Sequence, residues 1–385
     1  MNQYNTLFGQ LLSLIKRPEF NRLCRKHEAD KYSKGFSAWN ELLVMIFAQI
    51  SGQNGLRSIS NAMNSEYSSF YHLGITRAVN KSTLSYAENT RDSGVYEDLY
   101  YSLLSDLQPA AKKSAEQTLY AVDATTIGLC INDFPWAKFR STKSGVKIHV
   151  KYDVGESVPE YLFITNADKH ENSTLGSMKL KEGDVVTFDR GYNNYRQFSE
   201  FCRQGIYFVT RLKDNADYKV VKRRKTYSGR ITSDQIITFT GAVAGKKCPY
   251  ELRRIRSVDP KTGKAVVLLT NLRSCSASKI ASIYRKRWQI ELFFKTIKQN
   301  LKIKRFYGTS ENAVRTQIWI AMIVYILYMM LKKLSGCITK CFTHFISELS
   351  VVLFKHCELF RWVIGSPPER CTDKSMPLFQ MELGL

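Results

Sequence analysis

Three carboxylates in a strongly basic chain mark where chemistry can be placed: Asp123, Asp189 and Glu291. Each aspartate follows an apolar run, Leu119-Tyr120-Ala121-Val122 and Asp184–Phe188, that reads as a buried strand. An Asp at the end of a strand is ordinarily a turn former or a helix cap. Two at equivalent strand positions, with Glu291 further on, form a different object. Three carboxylates converging on one point repel unless divalent cations lie between them, and Mg²⁺ prefers oxygen ligands of this kind. Two metals held about 4 Å apart clamp the attacking and leaving oxygens of an in-line phosphoryl displacement.

Glu291 sits in the stretch Ala281–Gly308, which has no Gly or Pro before its end and predicts one long helix. It is the only acid there, among eight Lys or Arg. Tyr284, Arg287, Glu291 and Lys298 follow at steps of three, four and seven residues, which places them on an arc of roughly 60° of one helical face. A solvated basic face with a Glu291–Lys295 pair explains the pattern as well as a metal ligand flanked by phosphate-gripping side chains does. Asp133, Asp153 and Asp168 do not end an apolar strand as cleanly as the two chosen aspartates, and His170 reads as a core or surface histidine.

The elements that must position these residues are a mixed α/β core. Strands are expected at Leu119–Val122, Val146–Tyr152, Tyr161–Thr165, Asp184–Phe188 and Ile206–Thr210, with helices at Ser173–Lys181 and Asn194–Arg203. Residues 1–115 read as helical. Within them Ser82 is expected to cap a helix whose Ser85 and Arg91 point outward, a face suited to reading a DNA groove. Asn312–Leu334 and Ile338–Ile364 are expected to be helices.

With the residues laid out, the chain resembles the DDE transposases of the IS4 insertion-sequence family. Asp123, Asp189 and Glu291 look like that family's D, D and E. Tyr284, Arg287, Glu291 and Lys298 match its Y-R-E-K signature in spacing, and Phe188-Asp189-Arg190-Gly191-Tyr192 is similar to its segment around the second aspartate. The resemblance implies an RNase H-like catalytic core and Mg²⁺ dependence, with Mn²⁺ able to substitute. It implies DNA strand cleavage and transfer, with Asp123, Asp189 and Glu291 as metal ligands. Arg287 and Lys298 would grip phosphates, Tyr284 would hydrogen-bond one nearby, and Arg190 would make a contact near the site. The family pattern also places a β-rich insertion between the second D and the E, which here are 291 − 189 = 102 residues apart. The basic run Lys219–Arg230, including Lys222, Arg223, Arg224 and Lys225, falls in it and reads as a DNA-contacting hairpin tip. Relatives that form a DNA hairpin hold a flipped base on an aromatic of the insertion, often Trp. This insertion has no Trp, leaving Tyr218, Tyr227 or Phe239 for that task.

The expected division is an N-terminal helical DNA-binding domain (1–115), the first part of the core (116–215), the insertion (216–273), the second part of the core (274–335) and a helical C-terminal segment (336–385). The expected partners are double-stranded DNA, as terminal inverted repeats and target, and a second copy of the chain on that DNA. The rivals are a nuclease that cleaves without joining and a DNA-binding regulator without catalysis.

Composition agrees with a polyanionic partner. The net charge of +23 is spread along the chain, and 44% hydrophobic with 12% aromatic residues argues for a folded protein. The apolar run Ile318–Leu331 is shorter than the ~20 residues of a membrane span and reads as a core helix. The N-terminal residues lack the features of a signal peptide, and nine cysteines without a CxxC pair suit reduced thiols in a cytoplasm; the resemblance implies a bacterial, nucleoid-associated protein. Cys337, Cys341 and His344 are the one grouping that zinc could use.

Overall fold

The computed structural model describes residues 6–108, 117–167, 174–226, 229–241, 244–258, 263–336 and 340–364. Ten strands form one sheet. At its heart is β1 (Leu119–Leu129), which pairs antiparallel with β3 (Lys143–Asp153) on one side and parallel with β5 (Val185–Phe188) on the other. Beyond β3 lie β4 (Val158–Asn166) and the short β2 (Lys138–Arg140); beyond β5 lies β6 (Tyr207–Arg211), again parallel. The order β4-β3-β1-β5-β6, three antiparallel strands and then two parallel ones, fits the RNase H-like core that the resemblance implies. The sheet continues antiparallel through β10 (Ala265–Thr270), β9 (Leu252–Val258), β8 (Ile231–Phe239) and the edge strand β7 (Tyr218–Arg223).

The two-residue period of a strand decides which face each side chain joins. On β1, Tyr120 and Val122 enter a core with Val186, Phe188 and Phe208 and with Phe198 and Phe201 of α8 (Tyr195–Arg203). Ala121, the residue between them, faces the opposite side with Val146, Ile148 and Val150. On β5, Val185 shares that opposite side with Ile280 and Ile283 of α10 (Ala277–Lys286). The same alternation puts Asp123 and Asp189 on the side of α10 and of α11 (Trp288–Asn300).

The expected single helix over Ala281–Gly308 is instead α10 and α11, joined at Arg287 and finished at Asn300. Arg287 keeps helical φ and ψ of −52° and −30°, but its N–H reaches the carbonyl of Tyr284, and the Ile290 N–H reaches that of Arg287, at 3.1 Å each. These i→i+3 bonds tighten one turn to 3₁₀ geometry. Ser173–Lys181 shrinks to a 3₁₀ turn at Leu175–Ser177, and Ile338–Ile364 divides into α13 (Phe342–Val352) and α14 (Leu359–Ile364).

The seven helices before the sheet, α1 (Leu7–Ser13) to α7 (Gly94–Leu107), surround α3 (Ala38–Ile50), whose residues are almost all buried. Their apolar cluster is continuous with α11, with α12 (Glu311–Ser335) and with α13 and α14. Ser310 caps α12 by accepting from the Ala313 N–H, and Gly336 closes it at φ 62°. This 25-residue helix is, by length and composition, long and apolar enough to cross a membrane, beyond the run visible in sequence; 89% of its most apolar window is buried inside the protein. Helix α1 is stitched to the segment between α13 and α14: Leu7 N–H donates to the Lys355 carbonyl (3.0 Å), Phe8 N–H to that of Leu353 (2.9 Å), and the Gln10 amide to that of Cys357 (2.7 Å). Phe354 completes an aromatic cluster with Phe8, Phe47 and Phe70.

Candidate active site

Val122 and Phe188 are register partners in the parallel β1–β5 pair, so the residues that follow them, Asp123 and Asp189, start side by side. Only one of the two strands stops there. β5 ends at Phe188 and Asp189 starts a 3₁₀ turn, Arg190–Tyr192, whereas β1 runs six residues past Asp123 to Leu129. The expectation that both aspartates end a strand is therefore corrected for Asp123: continued pairing with β3, from Asp123↔Val150 to Leu129↔Ser144, carries β1 onward.

The α10–α11 junction crosses this point. Arg287 donates from Nη1 to Asp123 Oδ2 at 3.3 Å and from Nη2 to Glu291 Oε1 at 2.5 Å. Its side chain is 12% exposed, against 20% for Asp123 and 32% for Glu291. Burial opposes the guanidinium's charge, and Glu291, Tyr284 and Asp123 outweigh it to hold its proton affinity above the ordinary value. Tyr284 donates to Asp189 Oδ1 at 3.5 Å and lies under Arg287, 5.7 Å from ring centre to guanidinium carbon. Burial raises the Tyr284 pKa, so the phenol is a donor at neutral pH. Lys298 reaches β1 further along, donating to the Thr126 carbonyl at 3.0 Å. Tyr284, Arg287 and Lys298 of the spaced set thus contact the β1–β5 end of the sheet, from Asp189 through Asp123 to Thr126, and Glu291 is tied to it through Arg287.

Hard oxygen donors of this kind suit Mg²⁺ or Mn²⁺. Among the described residues no three metal-ligating side chains stand close enough to hold one ion as placed. Asp123 and Glu291 both reach one cation, the Arg287 guanidinium, and their oxygen donors are of the type that suits a divalent ion.

The remaining sequence candidates scatter. Arg190, 48% exposed, pairs with Asp214 at 3.0 Å. Lys222, Arg223, Arg224 and Lys225 are exposed at the end of the edge strand β7, where charge also blocks edge-to-edge pairing. Arg224 donates back to the Arg273 carbonyl at 2.7 Å. Tyr218 is half-buried, Phe239 is buried, and Tyr227 lies outside the described residues. In α6 (Lys81–Thr90) the cap position is Asn80, not Ser82, because the helix begins at Lys81; Ser82 is exposed and Ser85 half-buried. Arg91 does not point outward. It is 7% exposed, ion-pairs with Glu41, and donates to the Ala29 and Phe36 carbonyls at 2.8 Å. Asp168, His170 and Cys337 lie outside the described residues, and Cys341 and His344 are exposed.

One residue that sequence reasoning passed over stands beside the site. Trp288, directly after Arg287, is 57% exposed, and Leu292 on the next turn is 49% exposed. The signal available was position: an aromatic one residue from Arg287, on a helix whose other aromatics, Phe293 and Phe294, are buried.

Comparison with known proteins adds the following. The family described as Transposase DDE domain matches residues 114–327, and a domain of unknown function matches residues 3–76. Transposase y4zB of Sinorhizobium fredii is 34% identical over 63% of this chain and 69% of its own length. The transposase for insertion sequence element IS5377 of Geobacillus stearothermophilus is 33% identical over 54% of this chain and 55% of its own. The transposase for insertion sequence element IS4SA of Synechocystis is 27% identical over 66% and 72%.

Proposed function

The chain belongs to the DDE-domain transposases of insertion sequences, and from that premise we propose that it cuts the ends of its own element and joins the freed 3′-hydroxyls to target DNA. The observation that carries this reading is the Arg287 side chain bound to both Asp123 and Glu291, with Tyr284 on Asp189, at the end of two parallel strands. Residues 168 positions apart in sequence are brought to one point, and each faces a neighbour of opposite or complementary charge.

Asp123, Asp189 and Glu291 would hold the divalent metal, which supplies Lewis-acid stabilisation of the phosphodiester oxygens that gain charge. Arg287 and Lys298 bind phosphates flanking the reacting one, and Tyr284 donates a hydrogen bond to a third. Arg190 and the Lys222–Lys225 run extend the basic track, and Ser82 and Ser85 of α6 contact the DNA outside the core. The first attack, by water, breaks a P–O3′ bond and leaves a 3′-hydroxyl. In the second, that hydroxyl forms a new P–O bond to a target phosphorus while the target's own P–O3′ bond breaks. Phosphodiester bonds are conserved in the second step, so it needs no external energy source. One site per DNA end calls for two protomers, assembled on double-stranded DNA in the bacterial cytoplasm.

The test uses labelled DNA carrying the gene's own flanks with a supercoiled target and Mg²⁺. Wild-type protein should nick at a flank and join that end to the target, and Glu291→Gln should bind without doing either. Equal binding by both proteins with no cleavage, in Mg²⁺ or Mn²⁺, would leave a DNA-binding regulator as the reading. Nicking without joined product would leave a nuclease.

A further inference from the structure

Beyond Asp123 the outer edge of β1 loses its neighbour, because pairing with β5 stops at Val122 while β1 continues to Leu129. An open pocket of about 290 Å³ lies against that edge, lined by Thr126, Ile127, Gly128, Lys298 and Lys304. Its charged groups are two ammoniums and no carboxylate. Lys298 bridges to the Thr126 carbonyl at 3.0 Å, and Lys304 is exposed in the segment after α11. Gly128 leaves its part of the wall bare; a Cβ there would meet nothing within 4 Å. Two like charges facing one small pocket are unfavourable unless something negative comes between them. Burial and the nearby Lys304 both hold the Lys298 ammonium below its ordinary pKa, and an anion in the pocket relieves the second of these costs.

Resting on the transposase reading, we infer that Lys304 and Lys298 together bind one DNA backbone phosphate against the open edge of β1, so that the DNA strand runs along β1 away from the carboxylates. Asp123 to Thr126 is three residues, about 10 Å of strand. The phosphate held there is therefore one that flanks the reacting phosphate on the same strand. Lys304 lies outside the spaced Tyr284–Lys298 set and is a DNA-positioning residue, not a catalytic one.

The experiment measures binding of full-length protein to labelled flank DNA in EDTA across a salt series, so that no cleavage is needed. Lys304→Ala should lower the slope of log K against log salt by about 0.9 and weaken binding about fivefold to tenfold at 0.1 M salt. Lys304→Arg should restore both, and Lys332→Ala, on the exposed end of α12, should change neither. A single methylphosphonate walked along the strand should weaken wild-type binding at one position flanking the cut and be silent there in Lys304→Ala. An unchanged slope and the same methylphosphonate profile in Lys304→Ala overturn the pocket while leaving cleavage at the flank, and so the transposase reading, intact. A normal Lys304 effect in a wild-type protein that never cuts in Mg²⁺ keeps the pocket and sinks the transposase reading instead.

Discussion

Asp123 and Asp189 stand next to one another because the residues before them, Val122 and Phe188, are partners in a parallel pair. Their spacing is a property of the sheet, and the sheet at this point is held by Phe188, fully buried among Phe198, Phe208 and Tyr192. Phe188→Ala is expected to cost about 3–5 kcal/mol, read as a lower midpoint in urea unfolding. Phe188→Leu should keep most of that stability and still shift cleavage, because small displacements of the aspartates cost rate steeply.

Arg287 is the cation that pairs with both Asp123 and Glu291. Arg287→Gln removes the guanidinium these two carboxylates share and should lower stability in EDTA by about 1–3 kcal/mol. Mg²⁺ should then raise the melting temperature of the variant more than that of wild type, since binding to the folded state adds stability by mass action. An equal Mg²⁺ shift in both proteins would mean that the metal does not bind where the guanidinium lies. Arg287→Lys should recover only part of the loss, because a single ammonium cannot reach both carboxylates as the planar fork does.

Glu88 gives the fold a pH dependence. It is 1% exposed, neither carboxyl oxygen has a hydrogen-bond partner among the described residues, and a Cβ at Gly308 would stand 3.1 Å from Oε2. Burial, with Glu41 adding to it, pushes its pKa to about 8, above the ordinary 4.5. The folded state therefore binds the proton more tightly than the unfolded chain does. Stability from this group is complete below about pH 4.5, falls as pH rises toward 8, and is level above that. Glu88→Gln should add about 1–3 kcal/mol at pH 7 to 8 and almost nothing at pH 4.5, measured by denaturant unfolding at both values.

Arg91 and Ser82 separate folding from DNA contact within one helical region. Arg91→Ala strips the counter-charge from Glu41, which is 1% exposed and keeps the Tyr96 hydroxyl, and should cost about 3–5 kcal/mol. Ser82→Ala should leave the unfolding midpoint within about 0.5 kcal/mol of wild type and weaken only DNA binding. A Ser82→Ala variant with unchanged affinity for flank DNA would remove α6 from the DNA surface.

What the sequence made legible was local. The apolar runs that become β1 and β5 and the spacing from Tyr284 to Lys298 could be read because each depends on a short period. What it hid was set at a distance. That β1 outruns β5 depends on β3, whose Ser144 pairs with Leu129. Arg91 is buried because Glu41, 50 residues earlier, is buried opposite it. The break at Arg287 carries no Gly or Pro; it shows only once the side chain has two carboxylates to reach, one of them 164 positions away. The absence of Trp from the stretch between Trp136 and Trp288 drew attention away from Trp288 itself, whose exposure no pattern of neighbouring residues foretold.

The stitching of Leu7 and Phe8 to Leu353 and Lys355 has a consequence for the ribosome. At roughly 5–20 residues per second the first helix emerges well before the segment that covers it. For that interval Phe8, Phe47 and Phe70 lack the Phe354 ring that closes their cluster. A polypeptide released early keeps this face uncovered and is a substrate for chaperones and proteases. Arrival of the Leu353–Lys355 segment, rather than appearance of the carboxylates, is then the step that closes the apolar face of the first helices.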